Sequence, residues 1–232
     1  MSNLKNSYND YFDKNFNKFS SFKTDDKIKK IVKLAGSNKK ILDIGCSTGY
    51  LSYFLKKQNN EVAGIDFLQG AVAIAKKNNI DAYVCDIENE SLPFADNSFD
   101  LVIFSEVIEH LIDPNIVLEK IHRVLKNGGT VIISTPNIAY IQYRIELLFG
   151  RLPDFCEFRN KFFERHYNFQ HKSLFTRNVL RNTLLDNGFK IKRWSAHAGY
   201  KNAFEKIFNF MEHILPNLFR KNIIVIAKKY ER

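Results

Sequence analysis

The chain has 232 residues, of which 45% are hydrophobic and 26% charged, so it can bury a full core and is not disordered in composition. Its 35 Lys and Arg against 25 Asp and Glu give a net charge of +10, which favours acidic partners: nucleic acid, an anionic membrane, or a phosphorylated or carboxylated substrate. Three widely spaced cysteines argue against a disulfide framework. The first residues are polar, which argues against a secretory signal, and the apolar runs are short, which argues against a transmembrane segment. We therefore expect a cytoplasmic protein.

Apolar runs alternate with helical patterns along the first part of the chain, after a helix that stops at Gly36. The predicted strands cover 40–45, 61–66, 81–86, 99–104 and 130–134, and the predicted helices between them cover 50–57, 69–78 and 115–125. Continuous apolar strands separated by helices indicate a parallel sheet covered on both faces. Strands at 189–194 and 222–228, the last inserted near the sheet edge, complete a doubly wound α/β sheet of seven mostly parallel strands.

The alternation of predicted strands and helices ends after the fifth strand, where the chain is dense in Phe, Tyr and Arg and lacks strand signals. We interpret this part as an aromatic and basic insertion that covers the strand ends; a nucleic-acid surface is the less favoured interpretation. A helix over 173–187 follows it. The whole chain, 1–232, is predicted as a single domain with a helical cap at 1–36, a cofactor-binding core at 37–136, a substrate-covering insertion at 137–172 and the C-terminal part of the sheet at 173–232.

A glycine turn carries the strongest chemical signal. The first strand ends at Asp43, and Gly45 and Gly49 then bracket a turn that opens a helix, where free N–H groups and close backbone approach suit a ligand. Asp66 ends the second strand, a position that suits ribose hydroxyls or, alternatively, the cap of the next helix. A bulky Tyr50 and the lack of a third glycine argue against a dinucleotide and its pyrophosphate.

The run Asp43-Ile-Gly45-Cys-Ser47-Thr-Gly49 resembles the acidic residue and G-x-G-x-G motif of class I S-adenosylmethionine-dependent methyltransferases. Ser47 replaces the middle glycine; serine is small, and the replacement is tolerable if φ there is negative. The resemblance extends over about 39–136. It implies a Rossmann-like methyltransferase fold, S-adenosylmethionine as cofactor, and methyltransferase activity.

Further landmarks of that class follow along the chain. Asp66 matches the acid that binds the ribose, Asp86 with Ile87 matches the acid beside the adenine, and 92–102 and 125–133 resemble the segments that lead into strands four and five. By this resemblance the cofactor-binding residues are Asp43, Gly45, Cys46, Ser47, Gly49, Asp66, Phe67, Asp86, Ile87, Ser105 and Glu106.

Glu106, Glu109 and His110 follow the fourth strand at a spacing that puts them on one face of a helical turn. Three interpretations are open. These residues pack in the fold and contact the cofactor without taking part in the reaction, or His110 acts as a general base, or the three residues hold a metal ion. The turn resembles that of ubiquinone-biosynthesis O-methyltransferases and small-RNA 2′-O-methyltransferases, where two Glu and a His bind a divalent ion; in the RNA enzymes a further His completes the site, here His166 or His171. His110 and His166 are the predicted catalytic residues.

The later segments narrow the resemblance to small bacterial methyltransferases of the type 11/type 23 group. Its motifs are Ser134-Thr-Pro-Asn137 and the segments 143–151, 164–169, 174–177 and 184–189. This group implies a small-molecule or glycan-linked acceptor, methylated at oxygen. A metal-dependent RNA 2′-O-methyltransferase and a non-catalytic, cofactor-binding regulatory module are the alternatives.

Overall fold

The computed structural model describes residues 26–151, 153, 171–195 and 214–230. The predicted catalytic residue His166 and half of the predicted insertion lie outside these residues.

The described chain forms one sheet with helices on both faces. The strands are β1 Lys40–Ile44, β2 Glu61–Asp66, β3 Asp81–Val84, β4 Phe99–Ser105, β5 Leu125–Pro136, β6 Phe189–Ser195 and β7 Asn222–Lys229. The helices are α1 Asp26–Ala35, α2 Tyr50–Lys56, α3 Gln69–Lys77, α4 Pro114–Val124, α5 Ile141–Leu148, α6 Arg177–Asp186 and α7 Pro216–Phe219, and a 3₁₀ turn covers Ile108–His110.

The strands are ordered β3-β2-β1-β4-β5-β7-β6. Strands β1 to β5 pair in parallel, whereas β7 runs antiparallel between β5 and β6. The predicted doubly wound, mostly parallel sheet of seven strands is therefore confirmed. The strand order reverses between β1 and β4, and a ligand of such a sheet binds outside the carboxyl ends of the strands at that point.

Alternate residues of the central strands pack on opposite faces of the sheet. Leu42 and Phe104 join the core cluster that includes α4, whereas Ile41 and Ile103 join the cluster that includes Ile31 of α1. Two buried faces explain why these strands are continuous apolar runs rather than alternating ones. Within the described residues, every helix is too short or too polar to cross a lipid bilayer.

Several strand boundaries differ from those predicted, and two of these differences have a visible physical reason. Strand β5 begins at Leu125 rather than at 130, because Leu125 pairs with Phe99 ahead of an irregularity in the β4–β5 register. Strand β3 ends at Val84 rather than at 86, because the carboxylate of Asp86 turns the chain by accepting hydrogen bonds from the backbone N–H groups of Glu88 and Asn89.

Candidate active site

The glycine turn joins the end of β1 to the start of α2. Gly45 and Gly49 both have positive φ, 74° and 83°, which favours glycine. A Cβ on Gly45 would also clash with Cγ2 of Val107, in the loop after β4. The turn therefore needs glycine at both positions, and it packs directly against the loop that carries the second half of the site.

Ser47 also has a positive φ, 48°, so the condition of a negative φ, under which serine is easily tolerated, is not met. The physical reason is a hydrogen bond, since the backbone N–H of Ser47 donates to Oδ2 of Asp66 at 2.9 Å. The left-handed conformation of Ser47 accompanies this bond to the end of β2 and costs a non-glycine residue about 1–2 kcal/mol.

Asp66 fastens two segments to the end of β2. Its Oδ1 accepts a hydrogen bond at 2.9 Å from the backbone N–H of Leu68, the residue before α3, while Oδ2 holds the glycine turn. Burial raises the pKa of Asp66. Each carboxylate oxygen has two lone pairs, so both can still accept from ribose hydroxyls. The neighbouring ring of Phe67 is 59% exposed, which leaves a free apolar surface beside this carboxylate.

Asp43 lies inside the fold rather than at its surface. Its Oδ2 accepts a hydrogen bond of 2.5 Å from Oγ of Ser52 in α2. Burial, with a smaller contribution from the charge of Asp66, raises the pKa of Asp43 to about 7. Burial raises the pKa of the Cys46 thiol as well, and Cys46 holds the turn through its backbone N–H, which donates to the Ile65 carbonyl.

The loop after β3 is fixed by a lysine of α4. Nζ of Lys120 donates to the backbone carbonyls of Ile87, Glu88 and Glu90 at 2.8–3.1 Å. The side chain of Asn89 donates to the carboxylate of Asp86 and lowers the pKa of that carboxyl. Asp86 and Ile87 thus lie in an ordered loop at the same edge of the sheet as Asp66.

Ser105 and Glu106, at the end of β4, are tied to the end of β5. Oγ of Ser134 donates to Oε1 of Glu106 at 2.7 Å and lies 2.7 Å from Oγ of Ser105. Oε2 of Glu106 also lies 3.5 Å from Nζ of Lys27 in α1. This carboxylate is therefore held by a hydroxyl and an ammonium, with a φ of 55° at its own backbone.

Glu109 is 2% exposed and accepts a hydrogen bond of 3.0 Å from Oγ1 of Thr135. Burial and the nearby charge of Glu106 raise the pKa of Glu109. Its backbone carbonyl accepts from the N–H groups of Lys172 and Ser173. These two bonds bring the segment that begins at His171 to the end of β4.

His110 and His171 face each other with ring centroids 4.9 Å apart. Ligand atoms of Glu109, His110 and His171 all lie within 4.8 Å of one another. Two ligands on opposite sides of one metal ion stand about 4.4 Å apart, so a small side-chain movement suffices for this set to hold a divalent ion. Glu106 precedes the 3₁₀ turn and is not in this set, although the spacing put it on the same face.

Burial and the neighbouring charge of His110 lower the pKa of His171. His171 is therefore neutral at pH 7 and able to accept a proton from a substrate hydroxyl. A small pocket lies beside it, lined by Glu109, Thr135, Pro136 and Ser173 among others.

Sequence reasoning missed the residues that hold these groups in place. They are Lys27, Ser52, Lys120, Ser134 and Thr135. Only the Ser134-Thr-Pro-Asn137 motif gave a signal, because it puts two hydroxyls at the carboxyl end of a strand. The other contacts join elements far apart in the sequence.

The fold is that of a class I methyltransferase. A family profile described as a methyltransferase domain matches residues 35–210, so the chain belongs to this family of methyltransferase domains. The predicted resemblance is confirmed, and S-adenosylmethionine is the cofactor that the family implies.

Two solved structures share the fold. A SAM-dependent methyltransferase from Thermotoga maritima superposes with a TM-score of 0.63 at 19% identity, over 98% of this chain and 96% of that one. An S-adenosylmethionine dependent methyltransferase from Mesorhizobium loti gives a TM-score of 0.60 at 17% identity, over 86% and 96%. At such identities the likeness concerns the fold.

Curated relatives match part of the sequence. A ubiquinone biosynthesis O-methyltransferase of Pseudomonas aeruginosa is 34% identical over 142 residues, which cover 54% of this chain and 59% of the relative. A malonyl-[acyl-carrier protein] O-methyltransferase of Hamiltonella defensa is 36% identical over 110 residues, covering 46% and 42%. The chain thus spans about half the length of these relatives.

Proposed function

We propose that this protein transfers a methyl group from S-adenosylmethionine to a hydroxyl oxygen of a small-molecule acceptor, glycan-linked acceptors included, in the cytoplasm. The observation that carries the proposal is the meeting of two features at one sheet edge. The glycine turn is fastened to Asp66, and its Gly45 packs against the loop after β4, which carries Glu109 and His110 and lies beside His171 of a later segment. Both of these relatives are named as O-methyltransferases, which supports oxygen as the acceptor atom.

The cofactor supplies, when bound, an electrophilic methyl group on a sulfonium. The residues of the chain then have three tasks. The turn between Gly45 and Gly49, with Asp66, holds the cofactor; Pro136 and its neighbours line the space for an acceptor. His171 takes the hydroxyl proton as the new C–O bond forms and the C–S bond breaks, and the charge of the nearby Glu106 favours the resulting imidazolium.

Calorimetry with S-adenosylmethionine, followed by a screen for methyl transfer to catechols, nucleotide-sugars and short RNAs, tests this function. We expect cofactor binding and transfer to one small-molecule class, with a loss of at least about 100-fold in turnover in His171→Ala but unchanged cofactor affinity. No cofactor binding at millimolar concentration contradicts the proposal. Binding without transfer to any acceptor supports the regulatory-module alternative instead.

A metal-dependent enzyme is the second candidate, and the set Glu109, His110 and His171 favours it. One buried carboxylate and two imidazoles suit a divalent transition-metal ion, which would orient the acceptor oxygens and lower the pKa of a bound hydroxyl. RNA 2′-O-methylation is the metal-dependent reaction that the sequence resemblance suggested as an alternative.

Titration of the apo protein with Mn²⁺, read by calorimetry, separates the two candidates. A metal enzyme binds one ion, loses it in Glu109→Gln, and is inactivated by a chelator. If activity survives treatment with a chelator, the histidines act as acid–base groups rather than as metal ligands. Preference for RNA with a steep salt dependence of binding would replace the small-molecule acceptor by RNA.

A further inference from the structure

A second pocket, here called the arginine pocket, lies at the same edge of the sheet on the far side of β5. It is formed where β5 and β6 end and β7 begins. It is lined by Asn137, Arg177, Trp194, Ser195, Asn217, Arg220, Asn222 and Ile223. These lining residues include two arginines and no acidic side chain.

Arg177 and Arg220 are close enough to repel each other. The pKa of the Arg177 guanidinium is lowered by burial and then by the charge of Arg220. The guanidinium of Arg177 also stacks over the ring of Trp194, with its carbon 4.5 Å from the ring centroid, so it is held in position. None of the residues that line the pocket is an acid that would neutralise these two charges, and like charges held close together oppose folding.

The side chain of Arg220 has an unsatisfied donor. Its Nε–H is buried and has no hydrogen-bond acceptor among the described residues. A buried donor of this kind costs about 1–3 kcal/mol.

Asn137 fixes the backbone at this point. Its Nδ2 donates to the carbonyl of Arg220 at 2.8 Å and to that of Asn217 at 2.9 Å, and its own N–H donates to the carbonyl of Lys221. Asn137 is 1% exposed, so the hydrogen bonds that attach Arg220 to the end of β5 are buried. Arg220 is thus held in place with no counter-ion among the described residues.

We propose that the arginine pocket binds an oxyanion, a phosphate or a carboxylate, carried by the methyl acceptor. Guanidinium groups bind both oxyanions through paired N–H donors, and the amides of Asn217 and Asn222 add neutral donors. Asn137 directly follows Pro136, which lines the pocket beside His171, so the two pockets are neighbours at the end of β5. This inference rests on the proposed function for the identity of the acceptor, but not for the binding of the anion.

Trp194 is the only tryptophan of the chain, so intrinsic fluorescence reports on the arginine pocket directly. The protein is titrated with inorganic phosphate, with pyrophosphate and with malonate at constant ionic strength set by NaCl. We expect a saturable change with at least one of them, and the three arms separate phosphate from carboxylate. Absence of a saturable change up to tens of millimolar with all three overturns the inference.

Arg220→Gln should weaken that anion's binding by at least about tenfold, as expected for a lost charge-assisted hydrogen bond. Arg181→Gln is the matched control, because Arg181 lies exposed on α6, outside the pocket, and its loss changes the net charge equally. Equal weakening in both variants overturns the inference in favour of a general charge effect. If Arg220→Gln does not fold, Arg220→Lys, which keeps the charge but loses the paired donors, replaces it with the same expected direction.

Calorimetry with S-adenosylmethionine on the same samples separates the two proposals. Cofactor binding without anion binding ends this inference and leaves the methyltransferase intact. Anion binding without cofactor binding retains the pocket and removes the proposed function.

Discussion

Oδ2 of Asp66 accepts the backbone N–H of Ser47 at 2.9 Å, and this single bond joins the glycine turn after β1 to the end of β2. The same carboxylate accepts the N–H of Leu68 at the start of α3. Asp66 therefore fixes both the glycine turn and the start of α3 at the carboxyl end of β2. A change at this position acts on both the binding and the local fold.

Asp66→Asn should weaken S-adenosylmethionine binding by about 10- to 100-fold and lower the free energy of unfolding by about 1 kcal/mol. An amide has one oxygen, so it can no longer accept from Ser47, Leu68 and a ribose together. Calorimetry and urea unfolding measure the two effects. Asp81→Asn is the control, since Asp81 is an exposed carboxylate at the amino end of the adjacent strand β3. Unchanged cofactor affinity in Asp66→Asn would contradict the assignment.

Gly45→Ala should destabilise the protein through two separable causes. The added Cβ clashes with Cγ2 of Val107, and φ stays at 74°. Val107→Ala removes the clashing atom and leaves the Cβ of residue 107 at 3.6 Å, an ordinary contact. In a double-mutant cycle we expect Val107→Ala to restore most of the stability lost in Gly45→Ala, leaving about 1 kcal/mol of backbone strain. Additive losses would show that Val107 is not the obstacle.

Ser47→Gly should raise the free energy of unfolding by up to about 1 kcal/mol, since glycine adopts a φ of 48° without steric cost. Ser47→Val should lower it by about 2 kcal/mol, because a β-branched side chain opposes that conformation. Both variants keep the backbone N–H that Asp66 accepts. Denaturant unfolding checks the order Gly, Ser, Val; a Ser47→Gly protein less stable than the parent would mean that the serine side chain itself contributes.

The fold was predictable wherever local pattern decides it. Strand β2 runs from Glu61 to Asp66 as its apolar run indicates, because the charged residues at both ends bound a strand buried on both faces. The start of β5 at Leu125 was not predictable, because it depends on pairing with Phe99 in another strand. Pairing register is a tertiary property that periodicity within one segment does not contain.

In the candidate site, too, some features could be predicted from the sequence, whereas others depend on contacts between distant segments. The place of Asp66 at the carboxyl end of β2 follows from the order of strand and turn. The positive φ of Ser47 does not, because it is coupled to a hydrogen bond with that distant carboxylate. Likewise the sequence offered a further histidine, but only the fold brings His171 to His110. The arginine pocket had no sequence signal, since it forms only where β7 enters the sheet beside β5 and β6.

Asp43 should make stability fall as the pH rises from about 4 to about 7. Its carboxyl has a pKa of about 7 in the fold against 3.8 when unperturbed, so the folded protein holds a proton that the unfolded chain releases. The stabilisation is complete below pH 4 and is lost through pH 7, and it amounts to about 4 kcal/mol. The acids Glu109 and Asp66, whose pKa values burial also raises, add a slope of the same sign.

Asp43→Asn isolates the contribution of Asp43, because the amide does not titrate and still accepts from Oγ of Ser52. Urea unfolding from pH 4 to pH 8 should give a flatter stability curve for Asp43→Asn than for the parent, whereas the exposed-site control Asp81→Asn should keep the parental slope. Ser52→Ala removes a hydrogen bond that lowers the pKa of Asp43, so it should move the loss of stability to higher pH. A parental slope in Asp43→Asn would mean that Asp43 is ionised throughout this range and that other acids produce the pH dependence.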